Sequence, residues 1–415
     1  MTTPQLIFYV IVAILLIDYL VEQYLEYLNA RYRSASLPEE LKGIYPEDEY
    51  KRSQQYRSDN RKLSFISSTF NLLLILGFLS VDGFALVDGW AREFTSNPLL
   101  IPAVFFGILL FALDLINTPF TVYDTFVIEQ RYGFNKTTVK TFILDKIKGS
   151  ILTAVMGGGL LILVVWFYHL TGSDFWIYAW VLVTLFTLFL TMFYTHWIVP
   201  LFNKMEPLEA GDLKTRIVEL CQKGGFSLKD VFVMDGSKRS TKANAFFSGL
   251  GKKKRIVLFD TLIHELGLRE VLAVLAHEIG HYRKRHTLIN LLISVGHTGI
   301  ILYVLSLLVN NPVLSRALGV SEPSFHIALI AFALLYSPIS MILGIGMNAL
   351  SRKNEYQADD FAAHQNLSNA LIEALKKLSV KNLSNLTPHP AYVRVHYSHP
   401  PLLERIRNLR QQQDA

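Results

Sequence analysis

The sequence predicts an all-α integral membrane protein: seven transmembrane helices, with two polar segments gathered on one side of the bilayer. Three observations carry that expectation. The 415-residue chain is 51% hydrophobic and only 18% charged, where an ordinary soluble domain carries about 25% charged residues. Seven runs are long and apolar enough to cross a bilayer, which takes about 20 helical residues. The basic residues fall almost wholly on one side of those runs.

The runs cover approximately 5–28, 66–90, 99–122, 150–171, 175–197, 287–310 and 325–348. Asp18 and Asp82 interrupt the first two, Asp114 lies in the third, and His297 lies in the sixth. Only Thr171 to Asp174 separates the fourth run from the fifth, so the two form a tight antiparallel pair. Period-two alternation is absent from the runs, which argues against a β-barrel. Ionisable groups at such depth face water or the bundle interior, or pair between helices; both readings stay open for Asp18, Asp114 and His297. No Lys or Arg precedes Arg31 and no small-residue cleavage site follows the first run, so it reads as a retained span rather than a secretory signal.

Eight Lys and Arg lie between spans one and two, five between three and four, sixteen between five and six, and nine after span seven. The opposite side holds only Arg92 and Arg316. Basic residues accumulate in cytoplasmic loops, so the C-terminus is expected in the cytoplasm and the N-terminus outside or in a lumen. The formal charge of +6 is then membrane topology and not a nucleic-acid footprint. No C-terminal ER-retrieval signal is read, and a bacterial inner membrane and the endoplasmic reticulum are not distinguished. Cys221 is the single cysteine, so a Cys-rich metal site is excluded and any metal must take His and carboxylate ligands.

The expected organisation is 1–197, five spans and their loops; 198–286, a polar catalytic segment; 287–348, spans six and seven; and 349–415, a C-terminal segment. Ser34 to Asn60 reads as a surface connection with short helices. The lysine run 252–254 reads as a solvated hairpin tip near acidic headgroups.

The chemistry lies in two short motifs. His277-Glu278-Ile279-Gly280-His281 continues an apolar helical pattern from Leu268. Positions i and i+4 share a helix face, so His277 and His281 can offer two imidazole nitrogens to one zinc ion, with Glu278 placed to take a proton from its water. After span seven, Glu355 and Asp359 again stand four apart. A Glu ligand followed one turn later by an Asp that orients a ligating His is the gluzincin pattern; alone, the pair would read as a solvated helix start. His281 precedes span six by about six residues and Glu355 follows span seven by about seven, each roughly 10 Å of helix. The two halves of the site thus arrive at one depth, at the cytoplasmic face.

Beyond these motifs the chain resembles the type I CAAX prenyl endopeptidases, integral membrane gluzincins. The likeness runs through Thr125 to Lys136 (TFVIEQRYGFNK), Pro200 to Lys204, Ala243 to Phe247 and Ser398 to Arg405 (SHPPLLER). The resemblance implies seven helices around a large water-filled chamber and a cytoplasmic-side zincin-like domain with a small β-hairpin or sheet. It implies one Zn2+ per chain and a prenylated CAAX peptide or other membrane-associated peptide as substrate. Asn244, Ala245 and Phe246 are then substrate-binding positions on an edge strand, with Asn244 holding the scissile peptide. His399 stabilises the oxyanion and Arg405 supports the substrate or the local network. From spacing alone, Asn244 reads as a turn residue and His399 as a loop residue before proline. Two further readings fit parts of the sequence: a quality-control metalloprotease using the same site, and a seven-span transporter or receptor. The zinc motifs argue against the latter and also leave room for a lipid-modifying metalloenzyme.

Overall fold

A computed structural model describes residues 2–32, 41–44, 46–225, 228–248 and 254–412. Residues 252 and 253 of the lysine run, and 34–40 and 45 of the expected connection, lie outside the described residues. The N-terminal half is helical: α1 (Thr3–Arg31), α2 (Glu47–Ser80), α3 (Gly83–Phe94) and α4 (Leu100–Tyr123), the last passing into a π-helical turn at Asp124–Glu129. Next come α5 (Val139–Leu152), α6 (Gly159–Thr171), α7 (Phe175–Phe193) and α8 (Val199–Phe202), with π-helical turns at Thr153–Gly158 and Tyr194–Ile198. α6 and α7 pack against each other across Gly172, whose φ of +57° lies in a region that glycine enters without steric cost.

Six helical runs among the described residues are long and apolar enough to span a membrane. The count falls one below the expected seven because the fourth and fifth expected spans lie in one run, Val139–Phe202. Two further expectations differ in detail. Residues 47–60 form no short surface helices but open the 34-residue α2, whose first turn carries Glu47, Asp48 and Glu49, charges that complement a helix N-terminus. The second span stops at Ser80, because Asp82 takes a left-handed conformation (φ 51°) between α2 and α3, one that a short polar side chain tolerates.

The remaining helices are α9 (Asp212–Lys223), α10 (Asp260–Glu265), α11 (Leu268–Arg283), α12 (His286–Leu308), α13 (Pro312–Ala317), α14 (Phe325–His364), α15 (Ser368–Lys381), α16 (Pro390–His396) and α17 (Leu402–Gln411). α14 is 40 residues long and passes through position 348 without a break. The intramembrane ionisable groups are paired between helices: Ser337 donates to Asp18, Lys146 Nζ to Asp114 at 2.7 Å, and His297 Nε2 lies 2.7 Å from the Tyr336 hydroxyl.

Strands β1 (Met205–Pro207), β2 (Leu228–Met234), β3 (Ala245–Ser248) and β4 (Lys254–Phe259) form one sheet in the order β1-β2-β4-β3. β4 is interior, parallel to β2 and antiparallel to β3. Ile256, Val257 and Leu258 are all fully buried, which explains a continuous apolar run where alternation would mark a one-sided strand. β3 is an edge strand.

α11 buries Val271, Leu275 and Ile279 at i, i+4, i+8 in a core shared with Ile217, Ile256 and Leu262. Its opposite face meets α14 at Gly280. A Cβ there would lie 2.9 Å from the Ala358 Cα and 3.0 Å from the Ala358 carbonyl oxygen, so the two backbones touch. Gly280→Ala gains about 0.5–1 kcal/mol of helix propensity, but overpacking against rigid backbone costs about 1–3 kcal/mol. We expect net destabilisation together with loss of metal from the site. Gly296→Ala, where nothing lies within 4 Å, is the control and should lose neither. Thermal unfolding in detergent and metal content of the two variants check this; equal behaviour would contradict the close-contact account.

Candidate metal centre

The Gly280–Ala358 contact sets what can meet across it. His277 and His281 flank Gly280 on α11, and Glu355 and Asp359 flank Ala358 on α14. One ligand atom from each of His277, His281 and Glu355 falls within 4.8 Å of the others. His277 Nε2 lies 3.4 Å from Glu355 Oε2, and His281 Nε2 lies 3.2 Å from Glu355 Oε1. α11 is pinned at its start, where Glu270 accepts from the Gly267 N–H at 2.7 Å and from Lys377 Nζ.

Asp359 is fully buried and accepts the His277 Nδ1 proton at 2.8 Å. That holds Nδ1 as the donor, so the proton that leaves to free a lone pair for an ion is the one on Nε2. Burial alone would lower the His277 imidazole, but the hydrogen bond to Asp359 and the Glu355 carboxylate beside the ring outweigh it and lift the ring to about 9. Metal entry therefore displaces a proton. Arg405, on α17, gives Asp359 two bonds, Nε to Oδ2 at 2.9 Å and Nη2 to Oδ1 at 2.6 Å. Its Nη1 is 3.7 Å from Glu355 Oε2. The guanidinium is thus committed to the local network.

Glu278, His281, Glu355 and His399 open onto one cavity of about 1150 Å³. Burial raises the Glu278 carboxyl above its ordinary value, which suits a group that must take up and release a proton. His399 Nε2 lies 3.3 Å from Glu355 Oε1 and Nδ1 lies 3.0 Å from the Ser398 hydroxyl. Phe246 lines the same cavity, and Ala245 stands beside it on β3, paired with Leu258. Asn244 is not brought to the cavity wall: it is exposed at the head of β3, its Oδ1 accepting from the Ala245 N–H at 2.8 Å.

Residues outside the expected set also join the site. His286 Nδ1 stands 3.0 Å from His281 Nδ1, and Gln357 Oε1 stands 2.9 Å from His286 Nε2. On one continuous helix, a histidine five residues past His281 would point about 140° away, so the sequence hides it. Lys242, two residues before Asn244, donates to Glu129 at 2.8 Å and lies over the Phe134 ring. The run from Thr125 to Lys136 therefore braces the entry to β3.

A description of the CAAX prenyl protease N-terminal region, five membrane helices, matches residues 26–204, and that of peptidase family M48 matches residues 207–413. The CAAX prenyl protease 1 homolog of Dictyostelium discoideum is 34% identical, over 97% of this chain and 96% of its own. The chain belongs to peptidase family M48. CAAX prenyl protease 1 of Saccharomyces cerevisiae is 33% identical over 93% of this chain and 91% of its own. The crystal structure of S. mikatae Ste24p matches with a TM-score of 0.93 at 33% identity, covering 97% of this chain and 99% of that one. Membership makes the chain a metalloendopeptidase and an integral, multi-pass membrane protein. The residues present fit the metal that membership implies. The donor set is two imidazoles and a carboxylate, and Glu355 Oε2 is buried without a hydrogen-bond partner, as an atom reserved for an ion would be.

Removing Arg405 leaves the buried Asp359 without its cation. Breaking such a pair costs about 3–5 kcal/mol, so Arg405→Ala should be destabilised on that scale, with Arg405→Lys between it and the parent because an ammonium cannot reproduce the two-pronged contact. Chemical denaturation of the purified variants measures both; an Arg405→Ala protein as stable as the parent would disprove a structural ion pair.

Proposed function

We propose that the chain removes the C-terminal tripeptide of prenylated CAAX proteins as a zinc endopeptidase, with Zn2+ held by His277, His281 and Glu355. The observation that carries this is the juxtaposition in one cavity of His281, Glu355 and Glu278, with His277 completing the triad behind them, and an apolar wall of Leu188, Leu190, Leu288 and Leu291. Such a wall suits an isoprenyl chain. Two imidazoles and one carboxylate leave zinc a fourth position, the arrangement of hydrolytic zinc sites.

When bound, zinc would polarise the scissile carbonyl and acidify the attacking water. Glu278 takes the proton from that water and delivers it to the leaving nitrogen. The substrate adds as a strand to the free edge of β3, held by the main chain of Ala245 and Phe246. Asn244 holds the scissile peptide once its carboxamide is released from Ala245. His399, on the cavity wall, donates to the oxyanion as charge develops there. Arg405 acts through Asp359 on His277 as a positioning residue. In the same reading the run Val139–Phe202 turns back at Gly172 to make two crossings, seven in all, around an internal chamber. The distribution of Lys and Arg supports a cytoplasmic C-terminus.

Glu355→Ala should lose its zinc. Glu278→Gln should keep zinc while turnover falls by about 10²–10⁴-fold. The assay is cleavage of a prenylated CAAX peptide, with zinc measured on the same sample; metal loss in Glu278→Gln, or turnover by zinc-free Glu355→Ala, would overturn the roles.

If His399 and Asn244 both act on the tetrahedral intermediate, His399→Ala and Asn244→Ala should each lower kcat at full zinc occupancy, by about 10²–10³-fold for a lost oxyanion donor. A rise in KM alone would assign them to binding instead.

A further inference from the structure

His277 and His281 are equivalent as ligands but differ in what stands behind them. His277 Nδ1 has a carboxylate, Asp359, at 2.8 Å. Behind His281 is another imidazole, buried His286, whose Nδ1 lies 3.0 Å from His281 Nδ1 with the rings edge to face at 74°. His286 Nε2 in turn lies 2.9 Å from Gln357 Oε1.

The donors in this chain follow from its end. A carboxamide oxygen only accepts, so His286 Nε2 carries the proton and His286 Nδ1 is a lone pair. His281 Nδ1 must then donate, which leaves the His281 Nε2 lone pair free, 3.2 Å from Glu355 Oε1. Turning the Gln357 amide over would reverse every donor and put a proton on His281 Nε2, where a metal ligand needs a lone pair.

The backbone is shaped to make this contact. Arg285 has φ +59°, a conformation uncommon for a residue other than glycine. It breaks the helix between α11 and α12 and folds His286, the first residue of α12, back beneath His281. Gln357 lies on α14, two residues after Glu355. The relay thus joins α11, α12 and α14 behind one ligand.

We propose that His286 and Gln357 are positioning residues for the metal. Gln357 sets the tautomer of His286, and His286 accepts the Nδ1 proton of His281 and so holds its Nε2 as a zinc ligand. This rests on the zinc reading above. Ligand-orienting partners are worth about 10–100-fold in metal affinity. The neutral acceptor also avoids adding a third buried anion to Glu355 and Asp359.

The test is competition with a chelator for zinc, using full-length protein in detergent, with thermal unfolding of each metal-free variant as the check on folding. His286→Leu removes the acceptor and should weaken zinc binding by about 10–100-fold. His286→Asn, whose Oδ1 can stand where Nδ1 stood, should recover most of that loss. Gln357→Met keeps the volume but frees the His286 tautomer, and should fall between parent and His286→Leu. Parental affinity in His286→Leu would overturn the proposal. So would a His286→Asn as weak as His286→Leu, which would mean that the ring only fills space. If His286→Leu does not fold, the comparison of His286→Asn and Gln357→Met with the parent decides by the same criteria. A parent that binds no zinc would instead defeat the zinc reading itself.

Discussion

The contact of α11 and α14 at Gly280 and Ala358 governs the rest of the site. Two helices usually pack 8–10 Å apart because side chains separate them. Here a glycine removes that spacer, and a Cβ would stand 2.9 Å from the facing backbone. The i, i+4 pairs on either side then converge: His277 and His281 from one helix, Glu355 and Asp359 from the other. No loop has to deliver a ligand. Each is carried on a helix whose own packing fixes its direction, the condition for a site held to a fraction of an ångström.

That convergence concentrates charge where water is scarce. Glu355 and Asp359 are buried two carboxylates deep, an arrangement that repels itself unless a cation intervenes. Arg405 supplies one, and the imidazoles of His277 and His281 lie against the other carboxylate. The C-terminal helix α17 is therefore part of the site although it supplies no ligand. The same economy appears at β3, where Lys242, Glu129 and the Phe134 ring brace the entry to the strand.

What the sequence disclosed and what it hid divide along physical lines. His277, Glu278, His281, Glu355 and Asp359 were legible because a helix converts spacing into direction. Most spans were legible because lipid permits little besides apolar helix. The end of the second span was not, because Asp82 breaks the helix by backbone conformation while the surrounding residues remain apolar. The reach of α2 back to Glu47 was hidden by polar composition, although its three leading acids are a helix-start signal. His286 was hidden by the turn at Arg285, which cancels the phase that helical counting assigns it. β1 and β2 were hidden because α9 separates them in the chain, although Gly224-Gly225 and Asp235-Gly236 bracket β2, whereas β3 and β4 were visible as a hairpin. The side chain of Asn244 accepts from the N–H of the next residue, Ala245, a choice that no spacing argument resolves.

The length of α14 has a mechanical side. Its 40 residues, Pro338 among them, form a lever, and Glu355 stands about 26 Å beyond that proline at 1.5 Å per residue. Membrane helices tilt to match bilayer thickness, and a tilt of about 5° over that arm sweeps its tip through about 2 Å. Metal–ligand distances tolerate about a tenth of that. Because α11 is locked to the lever at Gly280 and α17 is clamped to it through Arg405, the triad rides the tip as one rigid body. Bilayer thickness then changes the height of the cutting point over the membrane, and not its shape.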